Sequence, residues 1–549
     1  MSDHAALLAA ITAHPDDDTP RLIYADWLDE HLPDAQPSPA AGPSARADFI
    51  RVQCRLAQRP YDDPEYPALL EREEELARWL TTHESGSAAH KLPDDLNWAR
   101  GYSPGDSPTY RRGFPDEFEY DDYDEEAEQN VIRINAALAE AFATSTGRTL
   151  RLEDSYGGEV AGVANAPVAA GLRGLILDYV ADDDEATAAL GVANSKHLTG
   201  LRRLNLEFPI ETPHVQALAK ASHLNTLEAL ALDQTAPAAM KALAAARWFR
   251  DLRELRLWMN TRDTFKSLGE LPPMPHLAAL TLFGHLAPAA AAFRRFVASG
   301  SFPRLGYLEL AHLELTPELV AALGRAPWPI RHLKLHGVEL RKASVEALAG
   351  ASFAPSLRVL ELSDCGITAG GAQALAASPA LAGLKHLDLS DNPVGPGGLL
   401  ALARGRHLRG LRKLNLNGCD STKAPIDTAA ALRFFAALDL PDLRHLGLNR
   451  LPVGVRGARL LAAGGTFANL TKLELCNCGL RETGGRIVVE SKSLGNLVSL
   501  DLSINNAGKG VTKLTNPKVF PRLADCDLSG NRLPHSARTR FRKRPGIRL

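Results

Sequence analysis

Cysteine, aromatic residues and net charge are all scarce in this sequence. Six cysteines, at positions 54, 365, 419, 476, 478 and 526, are scattered through 549 residues, which excludes the dense disulfide scaffold of a small secreted domain. Aromatics make up 6% and tryptophan numbers six, so a surface on which several gather is informative. The formal charge of -3 gives no global reason to expect nucleic acid, because a polyanion needs a basic face. That argument concerns the average, and local charge is a separate matter. No run reaches the roughly 20 apolar residues that span a bilayer. The opening MSDHAALLAAITAHPDDD has neither the basic start nor the apolar core of a secretion signal. The expectation is a cytoplasmic chain with no membrane segment.

Catalytic signatures are missing as well. There is no G-x-x-x-x-G-K-[ST], no H-E-x-x-H and no G-x-S-x-G. Cys476 and Cys478 form a C-x-C pair without the second ligand pair that a zinc site needs. His14 with Asp16, Asp17 and Asp18 reads as a helix-initiating turn, with Asp18 or Thr19 as cap and Pro20 at the first helical position. No enzymatic activity, cofactor or metal is expected.

What is present is repetition. The frame L-x-x-L-x-L-x-x-(N/C) starts fourteen times between Leu172 and Leu523, at a mean spacing of 27 residues, with a diverged copy ahead of it at Leu150. The clearest copies are LKHLDLSDN (384–392), LRKLNLNGC (411–419) and LTKLELCNC (470–478). Leucines at frame positions 4 and 6 alternate with polar residues, so a short strand buries one face and opens the other. The ninth position holds Asn260, Cys365, Asn392, Cys419, Cys478, Asn505 and Asn531. A small polar side chain there can satisfy backbone groups where the chain leaves the strand, forming a structural ladder. Cys526 falls on a core leucine position and Cys54 on a packed helix, so neither reads as a nucleophile. Alanine- and leucine-rich stretches such as ASVEALAGASF supply a helix between strands.

One strand and one helix per repeat of this length resembles the ribonuclease-inhibitor type of leucine-rich repeat. The resemblance implies an α/β solenoid, a horseshoe with parallel strands on the concave face and helices on the convex face. Ahead of it, TPRLIYADWLDEH and FIRVQCRLA resemble the bacterial repeat-companion domain, a small helical module found before such repeats. RRGFPDEFEY is similar to that family's junction and RTRFRKRPGIRL to its terminal strand. The Pro-rich stretch at 33–45 is an insertion relative to the family pattern. The expected organisation is a helical companion domain over 1–90, an acidic connector and cap over 91–146, repeats over 147–536 and a basic cap over 537–549. Residues 116–128 carry nine carboxylates and read either as a docking strip or loose cation site, or as a solvated connector. The six basic residues within 538–548 read as a charged cap in preference to a phosphate contact.

Frame positions 3, 5 and 7 face the open side of the strands. Trp258 and Phe283 hold position 7 in adjacent copies and Tyr307 holds position 3 of the next. A contiguous aromatic patch is expected, rimmed by Arg203, Glu254 and Arg256, unless the loop LPPMP (271–275) folds over it. In later copies a basic column of His332, His386, Lys413, His445 and Lys472, with His336, runs beside an acidic one of Glu361, Asp388, Glu474 and Asp501. Cross-strand pairing accounts for part of this, and the mixed charge suits a protein partner better than a polyanion. The sequence thus points to a monomeric, non-catalytic scaffold binding a protein of unknown identity on its concave face, and away from nucleic acid. By fold analogy, the alternative is a regulator of a partner enzyme, GTPase-activating or inhibitor-like, acting through the same surface.

Overall fold

The computed structural model describes residues 3–31, 45–59, 63, 65–83, 96–98, 110–111, 114–120, 127–180, 184–233, 236–259, 261–420, 425–544 and 546–549. Two compact units emerge: Met1–Leu80 with Gly86–Tyr307, and Thr81–Ser85 with Leu308–Leu549. The chain is an α/β leucine-rich-repeat solenoid preceded by a helical region.

The first unit opens with helices α1 (Asp3–Ala13), α2 (Thr19–His31), α3 (Ala45–Gln58) and α4 (Tyr66–His83). Ile11, Tyr24, Ala25, Leu28, Ile50 and Cys54 meet in a small core that also takes in Phe114. Asp18 holds the cap position of α2, its carbonyl accepting from the Leu22 N–H at 2.9 Å; its side chain is engaged by Gln58 at 2.7 Å, and the Asp17 side chain accepts the N–H of Thr19 at 2.8 Å.

Strands β1 (Asn97–Trp98), β2 (Tyr110–Arg111), β3 (Phe114–Pro115) and β4 (Glu117–Tyr120) follow, then α5 (Ala127–Thr144). The β2 and β3 strands pair with each other, and β1 lies antiparallel to β4. From β4 onward the ladder is parallel through β5 (Thr149–Ser155), β6 (Gly174–Val180), β7 (Arg203–Pro209), β8 (Ala229–Asp233), β9 (Glu254–Trp258) and β10 (Ala279–Phe283), with one register shift between β7 and β8 after Leu206. A helix lies between most successive strands, as at Gly157–Ala164 and Pro237–Ala245. The alternation works as its pattern requires: in β9, Leu255 and Leu257 are buried while Glu254, Arg256 and Trp258 are not.

The acidic segment is therefore not wholly a solvated connector. Its residues 117–120 form β4, with Phe118 fully buried in the place of a repeat leucine. Arg151 of β5 binds Glu117 at 2.6 Å and also contacts Asp178 of β6. Residues 121–126 lie outside the described part.

Strand β11 (Tyr307–Ala311) starts on the last residue of the first unit, and the second unit holds β12 (His332–His336), β13 (Val359–Ser363), β14 (His386–Asp388), β15 (Lys413–Asn415), β16 (His445–Gly447), β17 (Lys472–Glu474), β18 (Ser499–Asp501), β19 (Asp525–Asp527) and β20 (Ile547–Arg548). Successive strands from β12 to β20 pair in parallel. Beyond several of these strands an Asn or Cys at the ninth frame position ties one repeat to the next. Asn505 Oδ1 accepts from the N–H groups of Cys478 (2.9 Å) and Leu480 (3.2 Å), and its Nδ2 donates to the carbonyls of Leu475 and Leu502. Asn392 and Asn531 repeat this arrangement. Cys365, Cys419 and Cys478 donate their thiols to the carbonyls of Leu335, Leu389 and Leu448. Asn260 falls outside the described residues.

Candidate functional site

On the open strand face of the first unit, β9–β10 register sets Trp258 beside Phe283. Their rings stack with centroids 5.3 Å apart and planes 22° from parallel. Arg256, two residues before Trp258, lays its guanidinium over both rings, at 5.7 and 5.8 Å. Its other side leans toward Glu207 at 3.9 Å, and Arg203 reaches Glu254 at 3.7 Å. Both bridges cross β8, whose residues Ala229 and Ala231 are small enough to lie buried beneath them. Burial, with repulsion from Asp178, raises the carboxyl of Glu207. Arg203, Glu254, Arg256, Trp258 and Phe283 thus form one surface.

Tyr307 does not complete it. Its N–H bonds the carbonyl of Ala278, which sets it at the N-terminal end of the strands, while Phe283 ends β10. At about 3.3 Å per residue the separation along the strand is about 13 Å. The aromatic patch is a pair rather than a triad, because frame positions 3 and 7 share a face but not an end. In the LPPMP loop, Met274 is fully buried and its N–H bonds the carbonyl of Ser301.

Beside this surface, at the N-terminal side of the strands, lies a cleft of about 390 Å³ that the sequence did not reveal. Leu56, Ala57 and Leu70 of α3 and α4 give it an apolar wall, and Arg173, Arg202, Arg253 and Arg304 line the other. Asp16 holds Arg173 at 3.2 Å and Arg202 at 3.6 Å. Burial raises the carboxyl of Glu73 in the same cleft, although Gln53 donates to it. The recurrence of arginine at frame position 2, in Arg173, Arg202 and Arg253, was a usable signal, whereas Arg304 precedes its frame start. What no pattern announces is the second wall, which comes from helices more than a hundred residues away.

The second unit carries the charged columns. His332 stands 3.4 Å from Glu361, His445 3.3 Å from Glu474, and Lys472 2.5 Å from Glu474. Asp388 accepts from Ser390 and Asn415, and Asp501 from Ser503. His336 meets Ser363 at 2.9 Å. His386 and Lys413 follow one another in register on β14 and β15. Burial alone would raise the Glu361 carboxyl, but His332 and the nearby Lys334 and Lys413 pull it down to about 2. Burial drives His445 down to about 4 against the attraction of Glu474, with Lys472 and Lys413 adding repulsion. At neutral pH His445 is uncharged, so much of the column is internally settled. Gly447 belongs to this arrangement: a Cβ there would meet Asn415 Oδ1 at 2.7 Å and Asn417 Oδ1 at 2.9 Å.

Cys54, Cys365, Cys419, Cys478 and Cys526 are buried. Burial raises the Cys365 thiol to about 12 and lifts those of Cys419, Cys478 and Cys526 too, which withholds the nucleophilic thiolate. Among the described residues, no group of three or more His, Cys, Asp or Glu is placed to hold a metal ion. None of their helices is long and apolar enough to cross a membrane.

This is the architecture of a leucine-rich-repeat protein, a class whose fold commonly mediates protein–protein interaction. The family model for the leucine-rich repeat matches residues 353–376 and 384–403. No curated protein matches the sequence. A crystal structure of a protein from Bacteroides fragilis is similar over 56% of this chain and 76% of its own, at 14% identity and a TM-score of 0.30.

Proposed function

We propose that the chain is a non-catalytic scaffold that binds a protein partner on the open strand face of its first unit. The observation that supports this is the Trp258–Phe283 stack under the Arg256 guanidinium. Large rigid rings beside a half-satisfied arginine are what anchors of protein interfaces are made of. The neighbouring cleft extends that surface with an apolar wall and a row of guanidinium groups, so the partner segment presents an apolar side chain to the rings and carboxylates to the cleft. The charged columns of the second unit, His332 to Asp501, offer a mixed-charge surface of their own that suits a protein partner. In the same reading the repeats are of ribonuclease-inhibitor type, the helical region is a bacterial repeat-companion domain, and the chain works in the cytoplasm as a monomer.

The test compares wild type with Trp258→Ala/Phe283→Ala and with Tyr307→Ala in affinity capture from host lysate, with thermal melting in parallel. A partner held by wild type and Tyr307→Ala, but lost from the double variant at an unchanged melting temperature, supports the reading. A double variant that keeps the partner, or that loses it only by unfolding, overturns it.

A further inference from the structure

The near-neutral total conceals a separation of charge. Residues 481–549 contain fourteen Lys and Arg against five Asp and Glu, while the whole chain carries -3. Three of those carboxylates, Asp501, Asp525 and Asp527, sit on strands β18 and β19 and face the open side. The outer layer of the same repeats consists of the helix Arg481–Val489, the 3-10 segment Gly508–Thr515 and the helix His535–Phe541. It keeps only Glu482 and Glu490, and Glu490 is already bound to Lys513 at 2.7 Å. Lys509, Arg532, Arg538, Arg540, Arg542 and Lys543 are exposed, with no ion-pair partner among the described residues.

These cations stand on a fixed platform. Arg544 turns inward, donating to the carbonyls of Leu514, Asn516, Val519 and Phe520. That clamps the end of the last helix against the 3-10 segment, at the cost of desolvating a guanidinium. Gathering unpaired like charges opposes folding, so an anionic partner relieves a repulsion that the chain otherwise carries.

We infer that the outer face of the last repeats binds duplex nucleic acid through its phosphates, without reading bases. Guanidinium predominates among these unpaired cations, four Arg to two Lys, and its fork geometry matches phosphate oxygens. Residues 481–549 contain no Trp or Tyr, and both phenylalanines, Phe520 and Phe541, are buried. The face therefore offers no stacking platform for single-stranded bases and no aromatic anchor for a lipid interface. The exposed apolar side chains of this region, Ile504 and Leu549, follow strands β18 and β20 and do not belong to these helices. The surface is independent of the Trp258–Phe283 site.

The experiment is fluorescence anisotropy of a labelled DNA duplex of about 20 base pairs over a salt series, using the full chain. A single strand of equal length, a duplex RNA and phosphatidylserine vesicles are run as competitors. Wild type is expected to bind the duplex in preference to the single strand, with log affinity falling linearly against log salt by about 0.9 per phosphate contacted. Arg538→Glu/Arg540→Glu/Lys543→Glu should weaken binding at least tenfold and flatten the slope by about 3, while Trp258→Ala/Phe283→Ala leaves both unchanged. Competition by duplex RNA as well as DNA supports backbone recognition. If charge reversal disturbs folding, the Gln versions at the same three positions give the reading. No duplex binding at low salt, binding indifferent to these substitutions, tighter single-strand binding, or displacement by vesicles but not by unlabelled duplex would each overturn the inference.

Discussion

Single residues in this molecule do two different kinds of work. Asn505 satisfies backbone groups in two neighbouring repeats at once, and a buried polar group left without its partner costs about 1–3 kcal/mol. Leucine cannot do that, which is why the ninth frame position escapes the apolar pattern and is legible in the sequence. His445 shows what the sequence hides. Its place in a basic column suggests a cation for a partner, yet burial drives its folded pKa from 6.5 to about 4. Between those values the unfolded chain takes up a proton that the folded chain refuses, so stability present above pH 6.5 is lost as the pH falls. Glu361, held at about 2, adds a loss of the same sign only below its ordinary 4.5. Between pH 7 and 5, the unfolding free energy from urea titrations should therefore fall by roughly 2 kcal/mol more in wild type than in His445→Gln. Parallel pH profiles for the two proteins would show that His445 takes up its proton in both states alike.

At the scale of elements, the repeats announce themselves because leucine recurs at fixed places, whereas the first parallel strand does not. The β4 strand carries Phe118 in place of leucine and is embedded in nine carboxylates, so charge masks its alternation. What makes it a strand is long-range: Glu117 finds Arg151 on β5, which also contacts Asp178 on β6. Removing the arginine leaves a carboxylate that is 5% exposed without its counter-charge, and breaking a buried pair from one side costs about 3–5 kcal/mol. Arg151→Ala should thus release β4 and α5 first. Hydrogen exchange read by mass spectrometry should show residues 114–120 and 127–144 losing protection while β7 to β9 keep theirs. Retained protection over both stretches would mean that Phe118 packing alone holds the strand. The same reasoning explains Tyr307: the frame assigns a face to every side chain, but an end of the strand only by position number.

For the whole molecule, connectivity was the best guide to the fold, while average composition says nothing of where the charge lies. The average charge argued against nucleic acid, yet its distribution concentrates positive charge on the outer helices of the last repeats, because strand and helix layers alternate every 27 residues or so and can be charged independently. The fold itself was legible because, within each unit, successive repeats bond to their sequence neighbours. That locality has a measurable consequence. In a compact domain one core cavity weakens everything, whereas in a stacked array it weakens its own repeat and the adjacent ones. Leu500, 1% exposed in β18, pairs with Leu473 on one side and Cys526 on the other. Leu500→Ala should cost about 2–5 kcal/mol locally, and hydrogen exchange should accelerate across β17 to β19. Strands β5 to β8 should exchange as in wild type. Equal acceleration in both sets of strands would show that the repeats unfold as one cooperative body, and that stability here is a global rather than a nearest-neighbour quantity.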